Sequence, residues 1–518
     1  MIPSALRSSF CAYQVRCFSA VAERAPVLNS VDHDAIEDNW NMAKSYESIP
    51  GPSTFNMFRS FMPGGRFHNA NFSFLHDTLR QEYGPIYKLK GAFGKRDMVC
   101  VSDPKDFATI YRTEGKFPLR RSFESVMHYR MVENKHKFPV TMGLLSEQGE
   151  GWSDFRSKVN SVMMKPQVSK GYVSYTDEVS SDFVRKLHKM RDSNQETPAD
   201  LIYHLNTWAF EGITYVSVNM RLNLFSGKSH VNTDKLMGLL KEFFVLIYEL
   251  DFQPSLWKIY KTPKFCRMME IIDYMHKFNG KLLEDGIAKI RVEKEKGNRT
   301  KEKCIFEKLY EIDKEIAMIM TLDSLMGGID TTSTSAFWVI YNIARHPEKQ
   351  NILREQLCEF LPEKDTPLTP EIMSKLPYLK ATIKEALRVN SLTVGNVRTT
   401  GQNIVLKGYQ IPEKTDMFMH LAAVHMDDHY FPDAKSFLPE RWLRSSAKHE
   451  NFNPFTYLPF GFGSRNCVGQ RVAELEIESL VARLVRNYHV EWPGPPPVIK
   501  SLPFNMPQGD LKLRLRDV

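Results

Sequence analysis

A ten-residue segment near the C-terminus, residues 460–469 with the sequence FGFGSRNCVG, restricts the possible folds more than any other part of the chain. Two glycines ahead of Cys467 allow the backbone to turn tightly against a flat ligand, and Gly469 allows a following helix to approach closely. Helix-forming residues continue from Val472 to about Arg486. Cys467 is therefore expected where a helix begins, and backbone amide dipoles there favour a thiolate over a thiol. Most single cysteines in glycine-rich turns are plain buried thiols, so a functional role needs support from other motifs.

The composition disfavours several classes of protein. At 518 residues and 42% hydrophobic, the chain is long enough to bury a large core. The 69 basic and 61 acidic residues are interspersed and leave a net charge of +8, which is more typical of a solvated surface than of a nucleic-acid site. The seven cysteines include no CxxC pair, so a disulfide scaffold or a structural zinc site is disfavoured and a reducing compartment fits.

The N-terminal residues differ from the rest of the chain. Residues 1–22 contain no acidic side chain, and Arg7 and Arg16 alternate with serines and apolar residues, as in an amphipathic basic helix. This composition is typical of a mitochondrial transit peptide, with a disordered tail as the alternative. We therefore predict a transit peptide over residues 1–30, a lead-in over 31–49 and one domain over 50–518. Because no run of about twenty apolar residues occurs, the sequence predicts no transmembrane helix.

Hydrophobic periodicity predicts a mainly α fold with a small β portion. Helical periodicity dominates residues 177–250 and 311–360, and the second region includes one long helix from about 316 to 344. Three strand-like segments are short and separated, at 86–89, 97–101 and 403–411.

Two short motifs lie upstream of the cysteine segment. Glu385 and Arg388 would face the same side of a helix one turn apart, although such a pair is common and, when exposed, contributes only about 0.3–0.5 kcal/mol. The residues 327–332, GGIDTT, lie within the predicted long helix. Each glycine there costs about 1 kcal/mol relative to alanine, so the pair needs a packing or ligand reason. A kink or cap made of small residues is the alternative.

With these motifs in this order, the sequence resembles the cytochrome P-450 family from about Pro50 to the C-terminus. The resemblance implies a single-domain cytochrome P-450 fold, in which a helix-rich body with minor β-sheets surrounds a buried haem, so that 50–518 would be the catalytic domain. Phe460, Cys467 and Gly469 are implied to bind this haem, with the Cys467 thiolate as the iron ligand. Thiolate donation favours cleavage of the O–O bond.

The resemblance also implies roles for the two upstream motifs. Glu385 and Arg388 would lock onto Arg441 of a later loop, in a structural network that holds the approach to the cysteine. In the long helix, the backbone would loosen near the paired glycines to admit dioxygen. Thr331 would hydrogen-bond the iron-bound oxygen, and Asp330 would help to relay protons from solvent.

Haem carries two propionates, which need cationic or hydrogen-bonding partners in a partly buried site. The resemblance assigns them to Trp152 and Arg156 of a WxxxR helix, to Arg398 after the ExxR motif, and to Arg465 two residues before the cysteine. Each arginine alone would be assigned to the surface. One anionic ligand explains all three together.

Several features resemble the mitochondrial branch of the family, and in particular insect members linked to xenobiotic metabolism. The segment EGKFPLR at 114–120 is similar to one typical of that branch. Lys380 and Lys384 match lysines that dock an acidic, adrenodoxin-like ferredoxin, with two ordinary solvated lysines as the alternative. Arg471 would extend this surface, although Gln470 stands where many mitochondrial members have a basic residue. Electrons would come from NADPH through a reductase and the ferredoxin, since the chain has no nucleotide-binding fingerprint.

The resemblance places the protein on the matrix side of the inner mitochondrial membrane, with peripheral membrane contact. The apolar segment 239–248 is expected to touch the membrane, to lie as a buried helix over the substrate pocket, or to do both. Candidate substrate contacts, taken only from family regions, are Tyr129, Met320, Val394 and Asn505.

The sequence therefore predicts a haem-thiolate monooxygenase that inserts one oxygen atom of dioxygen into a lipophilic substrate, xenobiotic or steroid-like. One alternative is a steroid-hormone (ecdysteroid-type) biosynthetic hydroxylase. Another is a haem-thiolate isomerase that needs no redox partner, which the pair Asp330 and Thr331 and the two docking lysines argue against. A haem-binding sensor without catalytic activity is the third.

Overall fold

Helices make up most of the chain, which confirms the mainly α prediction. The computed structural model describes residues 39–91, 95–227, 229–296, 302–502 and 504–518, and the predicted transit peptide at 1–30 lies outside these ranges. The α-helices of the described residues are, in chain order, α1 Thr54–Phe61, α2 Phe72–Tyr83, α3 Pro104–Thr113, α4 Glu124–His128, α5 Gly143–Ser146, α6 Gly149–Met163, α7 Pro166–Gly171, α8 Val173–Met190, α9 Leu201–Val218, α10 Thr233–Ile247, α11 Pro263–Glu295, α12 Ile305–Tyr310, α13 Lys314–Arg345, α14 Pro347–Phe360, α15 Pro370–Ser374, α16 Pro377–Val389, α17 Leu421–His425 and α18 Gln470–Asn487.

Short helical turns of other types complete the helical part. Single π-helical turns continue α4 and α10, at Tyr129–Glu133 and Tyr248–Phe252. The 3-10 turns of the described residues are Tyr46–Ser48, Lys135–Lys137, Pro439–Trp442 and Pro454–Thr456.

Among the described residues, the β portion consists of one four-stranded sheet and three two-stranded ribbons. The strands are β1 Ile86–Leu89, β2 Met98–Val101, β3 Asn396–Thr399, β4 Ile404–Leu406, β5 Tyr409–Ile411, β6 Asp416–Met419, β7 Tyr488–Glu491, β8 Val498–Ser501, β9 Asn505–Gln508 and β10 Arg514–Asp517. The large sheet has the order β1-β2-β6-β3, with β2 and β6 parallel and the other pairs antiparallel. The three predicted strand segments are all present, and the third of them forms the β4–β5 hairpin.

The long helix α13 begins and ends where local chemistry requires. The Asp313 side chain accepts hydrogen bonds from the backbone amides of Glu315 and Ile316, which are two of the unsatisfied donors at the helix start. At the other end, Pro347 has no amide hydrogen to continue the helix, so α13 stops at Arg345 and α14 begins at the proline. The helical periodicity of 311–360 therefore corresponds to two helices.

Helix α13 is buried on nearly all sides, as a helix that is apolar around its whole circumference should be. It packs against α9, α11 and α16, and α18 packs against α8 and α13. One large apolar core connects these helices, and a smaller core lies between the four-stranded sheet and α3. Because α13 and α18 belong to the same core, the two predicted chemical motifs are held close together.

The segment 239–248 is buried. Its apolar side chains belong to the large core or lie next to it, and Phe243 and Phe244 of α10 line the main cavity. The buried-helix interpretation is therefore correct for its apolar side chains. Within the described ranges, no helix combines the length and the apolar character needed to cross a membrane.

Candidate active site

The sequence motifs converge on one interior cavity of about 370 Å³. Its wall is formed by α6, α9, α10, α13 and α18, by strand β3 and by the loop 459–469. Cys467, Thr331, Arg156 and Arg398 all line it, although they come from four distant parts of the sequence. The fold thus brings together the residues that the resemblance assigned to one ligand.

The loop before α18 presents Cys467 to the cavity through a closed turn. The Cys467 amide donates a hydrogen bond of 2.8 Å to the Phe460 carbonyl. Gly463 has a φ of +74°, and a Cβ there would lie 2.8 Å from Oε1 of Glu114, so glycine is required for both conformation and space. Gly469 is the N-cap of α18. Cys467 therefore lies three residues before the first helical residue, at the mouth of the helix rather than within it.

The Cys467 thiol is accessible, but its accessible surface faces the interior cavity. Burial raises the pKa of the thiol above its ordinary value, while the Gly469 amide and the guanidinium groups of Arg156 and Arg120 act in the opposite direction. The backbone at the helix start therefore favours the thiolate, as expected, but burial outweighs the backbone and the arginines. A bound cation at the sulfur is the kind of charge that would deprotonate it outright.

Four arginines surround one end of the cavity. Arg156, Arg398 and Arg465 were predicted, and Arg120 joins them. The pKa is lowered to about 10 for Arg120 and Arg156 and to about 8 for Arg465, mainly because these side chains are buried. Neighbouring arginines lower the pKa further in each case. Glu114 is the carboxylate that pairs with this group, through a contact of 2.9 Å with Nε of Arg398. Positive charge exceeds negative charge in this part of the described structure.

The arginine group fits the two propionates of haem. Nε of Arg120 and Nη1 of Arg465 are enclosed and have no hydrogen-bond partner among the described residues. Buried donors without partners are rare and costly, so two of them in one charged cluster indicate a site for an anion. The Arg465 guanidinium also stacks on Trp152, with 4.0 Å between the guanidinium carbon and the ring centroid. The thiol and the unpaired arginine donors in one cavity together suit an iron porphyrin.

The Glu385 carboxylate is the centre of a fully buried network that lies outside the cavity wall. Its oxygens accept hydrogen bonds from Arg388 at 2.7 and 3.0 Å and from Nε of Arg441 at 3.0 Å. The indole of Trp442 and the amide of Leu438 supply two more. The structure therefore brings together the three residues that the sequence assigned to a structural network, outside the cavity wall.

The glycine-rich part of α13 differs from the expectation in one respect. The helix is continuous at Gly327, and the Thr331 hydroxyl, which lines the cavity, donates to the Gly327 carbonyl at 2.7 Å. The loosening of the helix is therefore absent. Asp330 does not line the cavity; its Oδ1 accepts a hydrogen bond from Asn206 of α9 at 3.0 Å. Burial raises the pKa of Asp330 to about 6, against the opposing effects of Lys241 and Asn206.

Comparison with known proteins identifies the family. The family model described as Cytochrome P-450 matches residues 50–514. The chain is 39% identical over 493 residues to a probable mitochondrial cytochrome P-450 12b2 of Drosophila melanogaster, covering 93% of this chain and 91% of the relative. It is 38% identical over 500 residues to cytochrome P-450 CYP12A2 of Musca domestica, covering 93% of each. A mitochondrial cytochrome P-450 12b1 of Drosophila acanthoptera is 37% identical, over 88% of this chain and 87% of the relative.

The chain belongs to the cytochrome P-450 family. It is therefore an oxidoreductase of a monooxygenase family whose members bind haem iron through a cysteine thiolate. The relatives place it among insect P-450 proteins of the mitochondrial type, in agreement with the predicted branch.

The basic residues predicted to dock a P-450 redox partner lie close together but differ in exposure. Lys384 of α16 is exposed, and Lys380 is half-buried. Arg471 donates from Nε to the Met164 carbonyl at 2.6 Å, so part of its guanidinium is engaged within the protein. Glu474 lies near all three cations, which lower its pKa against the larger raising effect of burial. The surface is therefore mixed in charge rather than uniformly basic.

Of the four candidate substrate contacts, Met320 lines the cavity of this P-450. Tyr129 is absent from the wall, and its hydroxyl donates to Asp273 at 2.5 Å. Val394 packs in a core cluster, and Asn505 borders a separate polar pocket. These three expectations are wrong because side-chain direction at each position depends on tertiary packing.

The sequence reasoning missed two residues that line the cavity, Arg120 and Glu476. Arg120 ends the segment EGKFPLR, which was used only to recognise a branch of the family, and Glu114 begins it. Glu476 of α18 also lines the cavity, and no feature of its local sequence distinguishes it from the partly buried Glu474 and Glu478. Burial of an arginine or glutamate cannot be read from a short motif, because it depends on the packing of distant segments.

Proposed function

We propose that this P-450 is a mitochondrial monooxygenase in which Cys467 is the haem ligand and a lipophilic substrate receives one oxygen atom of dioxygen. The observation that carries this proposal is the position of the Cys467 thiol in the same cavity wall as the unpaired donors of Arg120 and Arg465. A thiolate ligand and a site for two propionates are the two requirements that haem makes of a protein here.

The residues that would hold the haem come from four elements. Arg156 of α6, Arg398 of β3 and the loop residue Arg465 supply donors for propionates, and Trp152 stacks on Arg465. We add Arg120 to this group because its enclosed Nε has no partner. When bound, haem supplies the activation of dioxygen with electrons from outside the chain.

The substrate end of the cavity favours an uncharged molecule that carries an aromatic ring. Phe72 makes edge-on contacts with Phe418 and Phe252 at centroid distances of 5.5 and 5.8 Å. Phe244 meets Phe504 in the same way at 5.1 Å. All five rings line the cavity and leave ring edges and faces to meet another ring.

Charge supports the same class of substrate. Asp323, the acidic wall residue from this part of α13, is paired with Arg130 at 2.7 Å and also accepts from the Leu144 amide at 2.7 Å. Its charge is therefore already compensated within the protein. A charged substrate would lose its hydration in an aromatic cavity without gaining a partner for its charge. Acids and amines are therefore disfavoured as substrates.

Protons and electrons reach the cavity from two sides in this proposal. The Thr331 hydroxyl lies in the wall and donates its proton to the Gly327 carbonyl, so its oxygen would accept a hydrogen bond from the cavity, while Asp330, one residue earlier, would exchange protons beyond the wall. Lys380, Lys384 and the free part of Arg471 would bind an acidic ferredoxin that is reduced by NADPH through a reductase, on the matrix side of the inner membrane.

Incubation with isotopically labelled dioxygen tests the proposal. The purified haem-loaded protein is supplied with NADPH, reductase, a mitochondrial-type ferredoxin and aromatic substrates selected by their spectral binding shifts. We expect one labelled oxygen atom per product molecule and the other in water, with no product when the ferredoxin is omitted. Product formation without reductant would instead identify the isomerase, and normal haem loading without turnover of any panel member would identify a sensor. A preference for sterols over smaller aromatic compounds would favour the biosynthetic hydroxylase.

A further inference from the structure

Glu114 is a buried carboxylate that lies behind the arginine group of the candidate haem site. It is 6% exposed and is not part of the cavity wall, whereas its partner Arg398 lines the cavity. Oε2 of Glu114 accepts a hydrogen bond of 2.9 Å from Nε of Arg398. The desolvation of two buried charges offsets much of their attraction, so stability alone does not explain a carboxylate at this position.

The cysteine loop passes close to the other oxygen of this carboxylate. A Cβ at Gly463 would lie 2.8 Å from Oε1 of Glu114, so glycine is needed there to leave space for the carboxylate. Arg398 reaches the same loop through Nη2, which donates to the Phe462 carbonyl at 3.3 Å, and its Nη1 donates to a backbone carbonyl of β3 at 2.9 Å. The carboxylate of Glu114 therefore lies next to a propionate partner on one side and next to the loop that carries Cys467 on the other.

The backbone of Glu114 is fixed by packing as well. Glu114 is the C-cap of α3, and a Cβ at Gly401 would lie 2.9 Å from its carbonyl carbon and oxygen. Two separate segments thus need glycine where they pass Glu114, one against its backbone and one against its side chain. The carboxylate is therefore held at a fixed position relative to the arginine group and the cysteine loop.

Glu114 supplies negative charge where positive charge is in excess. Burial raises its pKa to about 7, against the lowering effects of Arg398 and Arg465. In return, Glu114 raises the pKa of Arg465 against burial and the neighbouring arginines. The four arginines of the site exceed the two propionates of a haem in charge. Glu114 therefore offsets part of the positive charge that remains once a haem is bound.

We propose that Glu114 is a positioning residue that sets the reduction potential of the haem iron, through its charge and its contact with Arg398, and this proposal rests on the proposed haem ligation by Cys467. In the step concerned, ferric iron gains one electron and becomes ferrous, and the ferredoxin of the proposed function is oxidised by one electron. Positive charge near the iron favours the ferrous state. Because Glu114 opposes that charge, its carboxylate keeps the potential lower than the arginines alone would set it.

Spectroelectrochemical titration of the substrate-free, haem-loaded protein tests this effect without turnover. Glu114→Gln keeps an oxygen that can accept from Arg398 but carries no charge. At about pH 8.5, above the pKa of Glu114, we expect the ratio of ferrous to ferric iron at a given applied potential to rise about tenfold in this variant. For one electron, this is a shift of about 59 mV to more positive values. A parent-like potential in Glu114→Gln would overturn the proposal.

Asp416→Asn is the matched control for a lost buried carboxylate. Asp416 is 8% exposed, lies on β6 beside β3, pairs with Arg121 at 3.5 Å and does not line the cavity. We expect this variant to keep the parent potential, and an equal shift in Asp416→Asn and Glu114→Gln would overturn the proposal. Glu114→Asp, which keeps the charge, is expected to stay close to the parent, and a shift as large as that of Glu114→Gln would contradict a role for the charge.

The carbon-monoxide difference spectrum separates this proposal from the proposed function. A parent protein without the Soret band of thiolate-ligated haem would contradict the proposed function itself. A thiolate-type band in the parent and in Glu114→Gln, together with equal potentials, would overturn the role of Glu114 alone. If Glu114→Gln does not retain haem, Glu114→Ser takes its place, and the same positive shift is expected because the charge is again removed.

Discussion

Arg156 of α6 donates two hydrogen bonds to Asn466, the residue immediately before Cys467. The distances are 2.8 Å from Nη1 to the Asn466 carbonyl and 2.6 Å from Nη2 to its Oδ1, although the residues are 310 positions apart in sequence. Hydrogen bonds from a guanidinium are worth about 1.5–3 kcal/mol each, so this pair fixes the cysteine loop against α6. The same guanidinium faces the cavity. Haem binding and the position of the thiol are therefore coupled through one side chain.

Substitution of Arg120 tests the fourth propionate partner. We expect Arg120→Gln to raise the haem dissociation rate about tenfold or more, because a charge-assisted hydrogen bond of about 1.5–3 kcal/mol is lost. Transfer of haem to excess apomyoglobin measures this rate. Arg121→Gln is the control, because Arg121 is the next residue and pairs with Asp416 at 3.5 Å outside the cavity wall. Equal dissociation rates for the parent and Arg120→Gln would remove Arg120 from the site.

Neutralising Glu385 should destabilise the whole protein. Arg388 and Arg441 are fully buried, and without the carboxylate Arg388 loses its ion-pair partner while Arg441 keeps its contact with Glu450 at 3.1 Å. We expect Glu385→Gln to lose about 3–5 kcal/mol of unfolding free energy in denaturant titrations of the haem-loaded protein. Glu242→Gln, which breaks an exposed pair with Arg267, is expected to change the unfolding midpoint little. Similar midpoints for the two variants would show that the buried network is unimportant for stability.

Charge reversal at Lys380 and Lys384 tests the docking surface. The double change to glutamate should lower ferredoxin-supported turnover by about tenfold or more at low salt, while peroxide-supported turnover stays at the parent level. Parent turnover should also fall as salt is added, because salt screens the attraction between exposed charges. Reversal of Lys277 and Lys281, an exposed pair with the same spacing on α11, is the control. Equal losses by the ferredoxin and peroxide routes would indicate a folding defect instead.

The buried carboxyl of Glu476 predicts a pH dependence of stability. Its folded-state pKa of about 8 exceeds the value of about 4.3 for an unfolded chain, so the folded state binds more protons between these limits. The stabilisation is complete below about pH 4 and is lost as pH rises through the folded-state pKa, with a slope of up to about 1.4 kcal/mol per pH unit. Relative to Glu476→Gln, the parent should therefore lose unfolding free energy from about pH 5 to about pH 8 and then level off. Parallel pH profiles from denaturant titrations would contradict a raised pKa.

The local sequence pattern was sufficient to predict the helices and strands of this fold. It was insufficient to predict the direction in which individual side chains point. The helix expected over 316–344 is α13, because its apolar periodicity and its Asp313 cap act within one segment. Asp330 and Thr331 were assigned to one site as neighbours in sequence. Adjacent helical residues point about 100° apart, so one faces α9 and the other faces the cavity.

The missed residues show the same limit. Glu476 lies in the run ELEIE at 474–478, which is typical of an exposed helix face, yet in the folded protein it is buried and its carboxyl lies close to Gly212. Arg120 is enclosed by segments that come from other parts of the chain, so no spacing rule could find it. Sequence motifs identify the candidate haem-ligating cysteine and the protein family. The balance of charges around the candidate haem site follows only from the folded structure.

The reduced carbon-monoxide difference spectrum of the purified, haem-loaded protein tests the role of Cys467 most directly. We predict the Soret band characteristic of thiolate-ligated haem in the parent and its loss in Cys467→Ser. A parent band characteristic of histidine ligation, or a thiolate-type band that persists in Cys467→Ser, would contradict the assignment of Cys467 as the iron ligand.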